Sequence, residues 1–340
     1  MTKKQLPALS LRIIGYVLLA ALLLAVGFFI GSGWEARSYQ NFLSSLHLVR
    51  QNDPSTPFVH PIVGFSSSDA LSVNQFVSLS NKIKASFSAN GTDVDRYSVY
   101  FRDLNSGLWF GINENAQYDP GSMLKVALAM SAYKEAETDP SFLTTNETYT
   151  PALAAIDQSQ QFADPSELVV GQSYTIEDLI QKMLVDSDNG AKDILGNTVD
   201  QQIQDEAYTS ISLTVPSETG EYQISPKQYA QFFRTLYGGT FLNDTDSNTL
   251  LSLMSHDTFT KALASGIPAG TTISHKWGEH VVSTDNSVNA LELSDCGVIY
   301  DQKHPYLLCV MTQGKDEDDL ATAIASSSAV VYQETEGDYK

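Results

Sequence analysis

Ser122-Met123-Leu124-Lys125-Val126-Ala127-Leu128-Ala129-Met130 is the stretch of this 340-residue chain that decides its fold. Pro120 stands two residues before the serine, and a proline in a first turn opens a helix, so a helix is expected from Pro120 to about Glu137. Beyond Lys125 that helix is apolar almost all round, which makes it a buried one. Spacing of three sets the hydroxyl and the amine on one helix face. Loss of water around Lys125 would lower its pKa and fit it to take a proton from Ser122. Ser122 also sits beside the helix N-terminus, where backbone N–H groups can bind an oxyanion. Ser131-Ala132-Tyr133-Lys134 repeats the spacing, but at mid-helix, where the N–H groups are already used.

The elements on either side follow from periodicity and turn signals. Upstream, Val77 to Ser86 reads as a helix, and Tyr97–Asp103 and Leu108–Asn113 alternate as strands joined by Asn105-Ser106-Gly107. Downstream, Thr175 and Asp178 form a capping box for a helix to Val185, and Ala191 to Thr198 forms a short one. Ser225 and Pro226 start a helix through Leu236, and both Leu250–Met254 and the stretch before Ala262 look helical. Three strands near Thr272–Val282, Ala290–Tyr300 and Tyr306–Thr312 precede a last helix from Asp318 to about Tyr332. Strands at both ends with helices between predict an α+β fold: an antiparallel sheet built from both chain ends, flanked by helices, with an inserted all-helical lobe.

Farther out, residues 13–33 form an apolar stretch with no charged side chain, preceded by Lys3, Lys4 and Arg12. That length spans a bilayer as a helix, and the preceding basic residues place the N-terminus inside and everything after Trp34 outside. A cleaved signal peptide is the rival; Gly31-Ser32-Gly33 is a loose match to a cleavage site. The expected organisation is a cytoplasmic segment 1–12, a transmembrane anchor 13–33, a tether 34–73 and an enzyme domain 74–340. Forty acidic against 20 basic residues give a net charge of −20. Such a surface repels phosphate backbones and argues against nucleic-acid partners.

Two further motifs complete a constellation. Ser187-Asp188-Asn189 lies between two expected helices, and Lys276-Trp277-Gly278 lies in an expected strand. Singly, the first is an ordinary turn and the second an edge charge. Together and in this order with Ser122-x-x-Lys125, they match a pattern of active-site serine hydrolases. The region from about 74 to 335 resembles the class A β-lactamase and penicillin-binding D,D-peptidase superfamily. The resemblance implies that Ser122 is the nucleophile and Lys125 its proton acceptor. It implies further that Ser187 relays a proton to the leaving nitrogen, Asn189 holds the substrate amide and Lys276 attracts an acidic substrate. Backbone N–H groups of Ser122 and Glu279 would form the oxyanion hole, with Trp277 and Gly278 beside the substrate. The implied substrate is a β-lactam or a D-Ala-D-Ala peptide, with no cofactor and with the protein a monomer.

Three departures bear on the substrate. No Glu-x-x-Leu-Asn occurs before Ser225, so only Glu218 and Glu221 stand where a deacylating base is expected; the alternative is a solvated turn. Trp277 replaces the usual Thr or Ser, and no Lys or Arg occurs between Lys276 and Lys303. A β-lactamase, a D,D-peptidase or slow penicillin binder, and a non-catalytic binding module on the same fold therefore all fit the sequence. His275 and His280, five apart in a strand, fall on opposite faces and predict no metal site. If residues 301–304 form a hairpin loop, Cys296 falls opposite Cys309. Outside the membrane the two either oxidise to a disulfide or remain buried small hydrophobes.

Overall fold

The computed structural model describes residues 46–67, 73–89, 93–154, 168–217, 222–284 and 287–337. The expected anchor at 13–33 lies outside these residues, as do Glu218 and Glu221. Among the described residues no helix is long and apolar enough to cross a membrane.

Part of the expected tether is folded. Strands β1 (Leu46–Arg50) and β2 (Ile62–Ser67) pair as an antiparallel hairpin. Leu48 N donates to Asn105 O (3.1 Å), and Arg50 Nε to Leu104 O (2.7 Å). Between the strands Val59 is fully buried in the core, so the folded body reaches back to at least residue 46 rather than 74. Each strand is short, and Pro54 and Pro57 break the stretch between them, which removes the periodic signal.

Helix α1 (Val73–Ala89) follows, longer than expected, with Phe76, Leu79, Ile83 and Phe87 as its buried stripe. Strands β3 (Val94–Asp103) and β4 (Trp109–Ile112) come next, then a 3-10 turn, Gly121–Leu124, that runs into α2 (Lys125–Ala136). The lobe holds a small ribbon of β5 (Asn146–Thr148) and β6 (Ser173–Thr175) with α3 (Pro151–Ala154) between them. It continues through α4 (Ile176–Val185), α5 (Asn189–Thr198), α6 (Gln201–Thr209), α7 (Pro226–Tyr237) and α8 (Asp244–Met254). Both expected caps form as boxes, Thr175 with Asp178 on α4 and Ser225 with Gln228 on α7. Helix α6 is an addition to the expected elements, too polar to announce itself by periodicity; Asp200 caps it by accepting from Gln202 N at 2.8 Å.

The stretch before Ala262 is not helical, contrary to expectation. Asp257 Oδ1 accepts from Phe259 N (2.9 Å), a local turn bond that competes with helix, and α9 (Ala262–Ser265) begins only afterwards. The chain ends with β7 (Ile273–Thr284), β8 (Ser287–Ile299), β9 (Tyr306–Gly314) and α10 (Glu317–Glu336).

Five strands form one antiparallel sheet in the order β4-β3-β9-β8-β7, joining the two chain ends as expected. One face carries Val99, Phe101, Leu293, Leu308 and Val310 against α1 and α10. The other carries Tyr100, Cys296, Val298, Leu307 and Cys309 against the lobe. Full burial of each such aliphatic side chain contributes roughly 1.5–3 kcal/mol, so sheet and lobe share a large apolar core. Cys296 stands directly opposite Cys309 in the β8–β9 register, and the two form a disulfide with Cα atoms 4.0 Å apart.

Candidate active site

Two glycines let the serine turn press against the outer strand of the sheet. Gly121 has φ +50°, and a Cβ there would stand 2.3 Å from Glu279 O. A Cβ on Gly278 would stand 2.1 Å from Pro120 O and 2.9 Å from Ser122 N. Any side chain at either position would push the strand off the turn. Because β7 is the last strand of the sheet, it has a rim of main chain that β8 does not cover. The backbones of Ser122 and Glu279 meet at that rim, the place expected for the oxyanion hole.

The sheet holds this turn from below. Gly121 N donates to Asp119 Oδ1 (2.9 Å), and Asp119 N donates to Glu292 Oε2 (2.8 Å). Glu292 Oε1 in turn pairs with Arg96 Nη2 (2.9 Å) and accepts from Gln313 Nε2 (3.1 Å). From the lobe, the buried Tyr229 hydroxyl donates to Met123 O (2.8 Å). Three strands and α7 thus fix the main chain around Ser122.

Lys125 enters the protein at the start of α2 and is 2% exposed; Ser122, on the preceding turn, is 7% exposed. Its Nζ donates to Ser187 O, to Ser187 Oγ (3.1 Å) and to Asn189 Oδ1 (2.8 Å). Burial holds its pKa well below the ordinary lysine value; Lys276 and Lys192 push the same way, and Asp188 and Asp193 oppose them. Such an amine gives up its own proton more readily than an ordinary lysine, which suits it to accept one from the serine. Ser187 has φ +57°, uncommon for a residue with a side chain. That conformation brings both its carbonyl and its hydroxyl to Lys125. Asp188 then caps α5 by accepting from Ala191 N (2.8 Å), with Asn189 as the first helical residue.

Lys276 lies opposite Cys296 in the β7–β8 register, on the lobe face. Its Nζ pairs with Asp257 Oδ2 at 2.9 Å, and both side chains are 0% exposed. The positive potential expected of it is therefore largely matched inside the protein. Trp277 takes the opposite face: it is buried and stacks on Phe259 (centroids 4.2 Å apart) within the α1–α10 core. Its ring offers no surface to a substrate, which corrects the expected substrate contact. His275, two residues back on that face, pairs with the buried Asp295 (Nδ1–Oδ1 2.9 Å). Among the described residues no group of His, Cys, Asp or Glu is placed to hold a metal ion.

The structure therefore gathers Ser122, Lys125, Ser187, Asn189, Lys276 and Gly278 around one rim of β7, and sets Trp277 apart. Sequence reasoning missed Asp119, Glu292 and Asp257, whose partners lie far away in the chain and leave no motif. A profile described as "Beta-lactamase enzyme family" matches residues 78–335. Among solved structures, PBP-A is similar with TM-score 0.63 at 20% identity, over 76% of this chain and 96% of that one. A point mutant of PBP-A, described as an acyl-enzyme complex with penicillin-G, gives TM-score 0.64 at 19% identity, over 77% of this chain and 97% of that one. The TLA-3 extended-spectrum β-lactamase gives 0.65 at 17% identity, over 76% and 98%. A comparison with curated protein sequences finds no match. The match over most of the folded body, on a fold shared with these structures, places the chain in the β-lactamase enzyme family, among the serine hydrolases that act on amides.

Proposed function

We propose that this protein opens β-lactam amides through an acyl-serine at Ser122, on a domain held outside the membrane by residues 13–33. The observation that carries the chemical reading is the buried, pKa-lowered Lys125 amine bonded to Ser187 and Asn189. Lys125 must first lose a proton, and with it one of its three donated bonds; the neutral amine then takes the Ser122 hydroxyl proton as Oγ attacks the carbonyl carbon. The oxyanion forms where the Ser122 and Glu279 backbones meet. As the C–N bond breaks, the proton passes from Lys125 through the Ser187 hydroxyl to the leaving nitrogen, and the acyl group stays on Ser122. Release needs a water activated by a base: Glu218 or Glu221 if either reaches the ester, otherwise Lys125 again. Support for the anchor is the uncharged apolar stretch with three basic residues, Lys3, Lys4 and Arg12, ahead of it. Protease added to intact cells should remove the outer domain, whereas a native N-terminus near residue 32 to 36 would contradict the anchor.

A second reading, a D,D-peptidase or slow penicillin binder, is favoured by one observation. Asp257 neutralises Lys276, which weakens the draw on a substrate carboxylate. Chromogenic cephalosporin hydrolysis by the purified chain separates the two. Sustained turnover supports the β-lactamase, and a single burst equal to the enzyme concentration supports the slow binder.

A further inference from the structure

A cavity of about 410 Å³ lies at the far end of α7 from the serine turn, between that helix, β3 and the β1–β2 hairpin. Arg50, Arg102 and Arg234 all line it, and no aspartate or glutamate does. In a chain with twice as many acidic as basic residues, three guanidinium groups at one cavity without a carboxylate go against the composition. Among the described residues none of the three forms an ion pair. Asp103, whose charge acts on Arg50, does not pair with it: its Oδ1 accepts from Ser106 N (2.6 Å) and Ser106 Oγ (2.7 Å), and its Oδ2 lies 3.6 Å from His304 Nδ1.

Two of the arginines are held by bonds within the protein. Arg50 is fixed by bonds to Leu104 O and to His60 O (2.7 Å each), with its guanidinium 5.0 Å from the Tyr237 ring centroid. Arg234 is braced by Gln231 Oε1 at 2.6 Å. Burial lowers the pKa of both Arg50 and Arg234, and Arg102 pushes each the same way, while Tyr237 and Asp103 oppose it at Arg50 and Tyr100 at Arg234. Holding like charges together in a half-enclosed site is unfavourable unless an anion joins them. Three cations suit a doubly charged oxyanion better than a single carboxylate, and planar guanidinium forks match phosphate oxygens two at a time.

We propose that the Arg50–Arg102–Arg234 cavity binds a phosphate-bearing small molecule or headgroup, at a site separate from Ser122. The test is calorimetric titration of the full chain, in neutral detergent, with inorganic pyrophosphate. Saturable binding is expected, weakened about tenfold or more by either Arg102→Gln or Arg234→Gln, the loss of one charge-assisted contact. Penicillin acylation of Ser122 should be unchanged in both variants, which also shows that they are folded. Competition by phosphatidylglycerol vesicles but not by phosphatidylcholine would identify the source as a lipid headgroup; absence of competition would identify a soluble anion. No saturable binding by the parent, or equal binding by parent and both variants, overturns the proposal.

Discussion

His275 and Lys276 are neighbours on β7, and each buries a basic side chain against an aspartate, but on opposite faces of one sheet. His275 meets Asp295 under the α1–α10 layer, where Leu263 N also donates to Asp295 Oδ2 (3.1 Å). Lys276 meets Asp257 on the lobe side, close enough to Lys125 to help lower its pKa. The first pair ties α9 to the sheet; the second sets the electrostatics of the site. One strand thus separates a charge pair in the α1–α10 layer from one beside Lys125 by alternation alone, and substitutions on the two faces should have different consequences.

The largest effect should come from the amine that Lys276 influences. Lys125→Met should slow acylation by benzylpenicillin about 10²–10⁴-fold, the usual worth of a general base, with little change in unfolding midpoint. In the parent, acylation should fall as pH drops through the lowered Lys125 pKa, because a protonated amine cannot accept the serine proton. Quenched-flow mass spectrometry across pH checks both.

Next comes the pair itself. Asp257→Asn leaves Lys276 buried without its counter-charge and should cost about 3–5 kcal/mol in urea unfolding. Adding Lys276→Met should recover most of that stability without restoring acylation. If the double variant acylates like the parent, Lys276 belongs with His275 as a structural group.

The His275 side should move stability and leave acylation alone. Asp295 raises the His275 pKa above its ordinary value against the opposing effect of burial. Folding therefore binds the proton more tightly. The stabilisation is complete below the unfolded histidine pKa of about 6.5 and is lost as pH rises through the folded value. His275→Gln should cost about 1–3 kcal/mol at pH 6 and flatten that part of the pH–stability curve. The smallest effect should be that of Trp277→Phe: about 1 kcal/mol of stability from imperfect repacking, with acylation unchanged. A loss of acylation there would return Trp277 to the substrate site.

The sequence discloses what local chemistry encodes. Thr175 with Asp178 announces its helix through a capping box, Ser225 with Pro226 through a cap and a first-turn proline, and the uniformly apolar turn after Lys125 announces a buried helix. Placing the hairpin loop at residues 301–304 gives the β8–β9 register closely enough to set Cys296 opposite Cys309, though not their oxidation. Pairings made across the fold stay hidden. Asp257 falls in a stretch that reads as helical in the sequence, and only the folded chain brings it to Lys276, nineteen residues on. Trp277 belongs to the site by its place in a motif, whereas its size and the Phe259 ring draw it into the other core. The β1–β2 hairpin and the arginine cavity it helps to close leave no local pattern, because Arg50, Arg102 and Arg234 come from three separate elements.

Identification of the residue that carries the acyl group tests the central claim most directly. The full chain should be exposed to benzylpenicillin, digested and mapped by mass spectrometry. One adduct of penicillin mass is expected on the peptide containing Ser122, formed by the parent and absent from Ser122→Ala. No adduct on the parent, or an adduct that persists at another residue in Ser122→Ala, would contradict it.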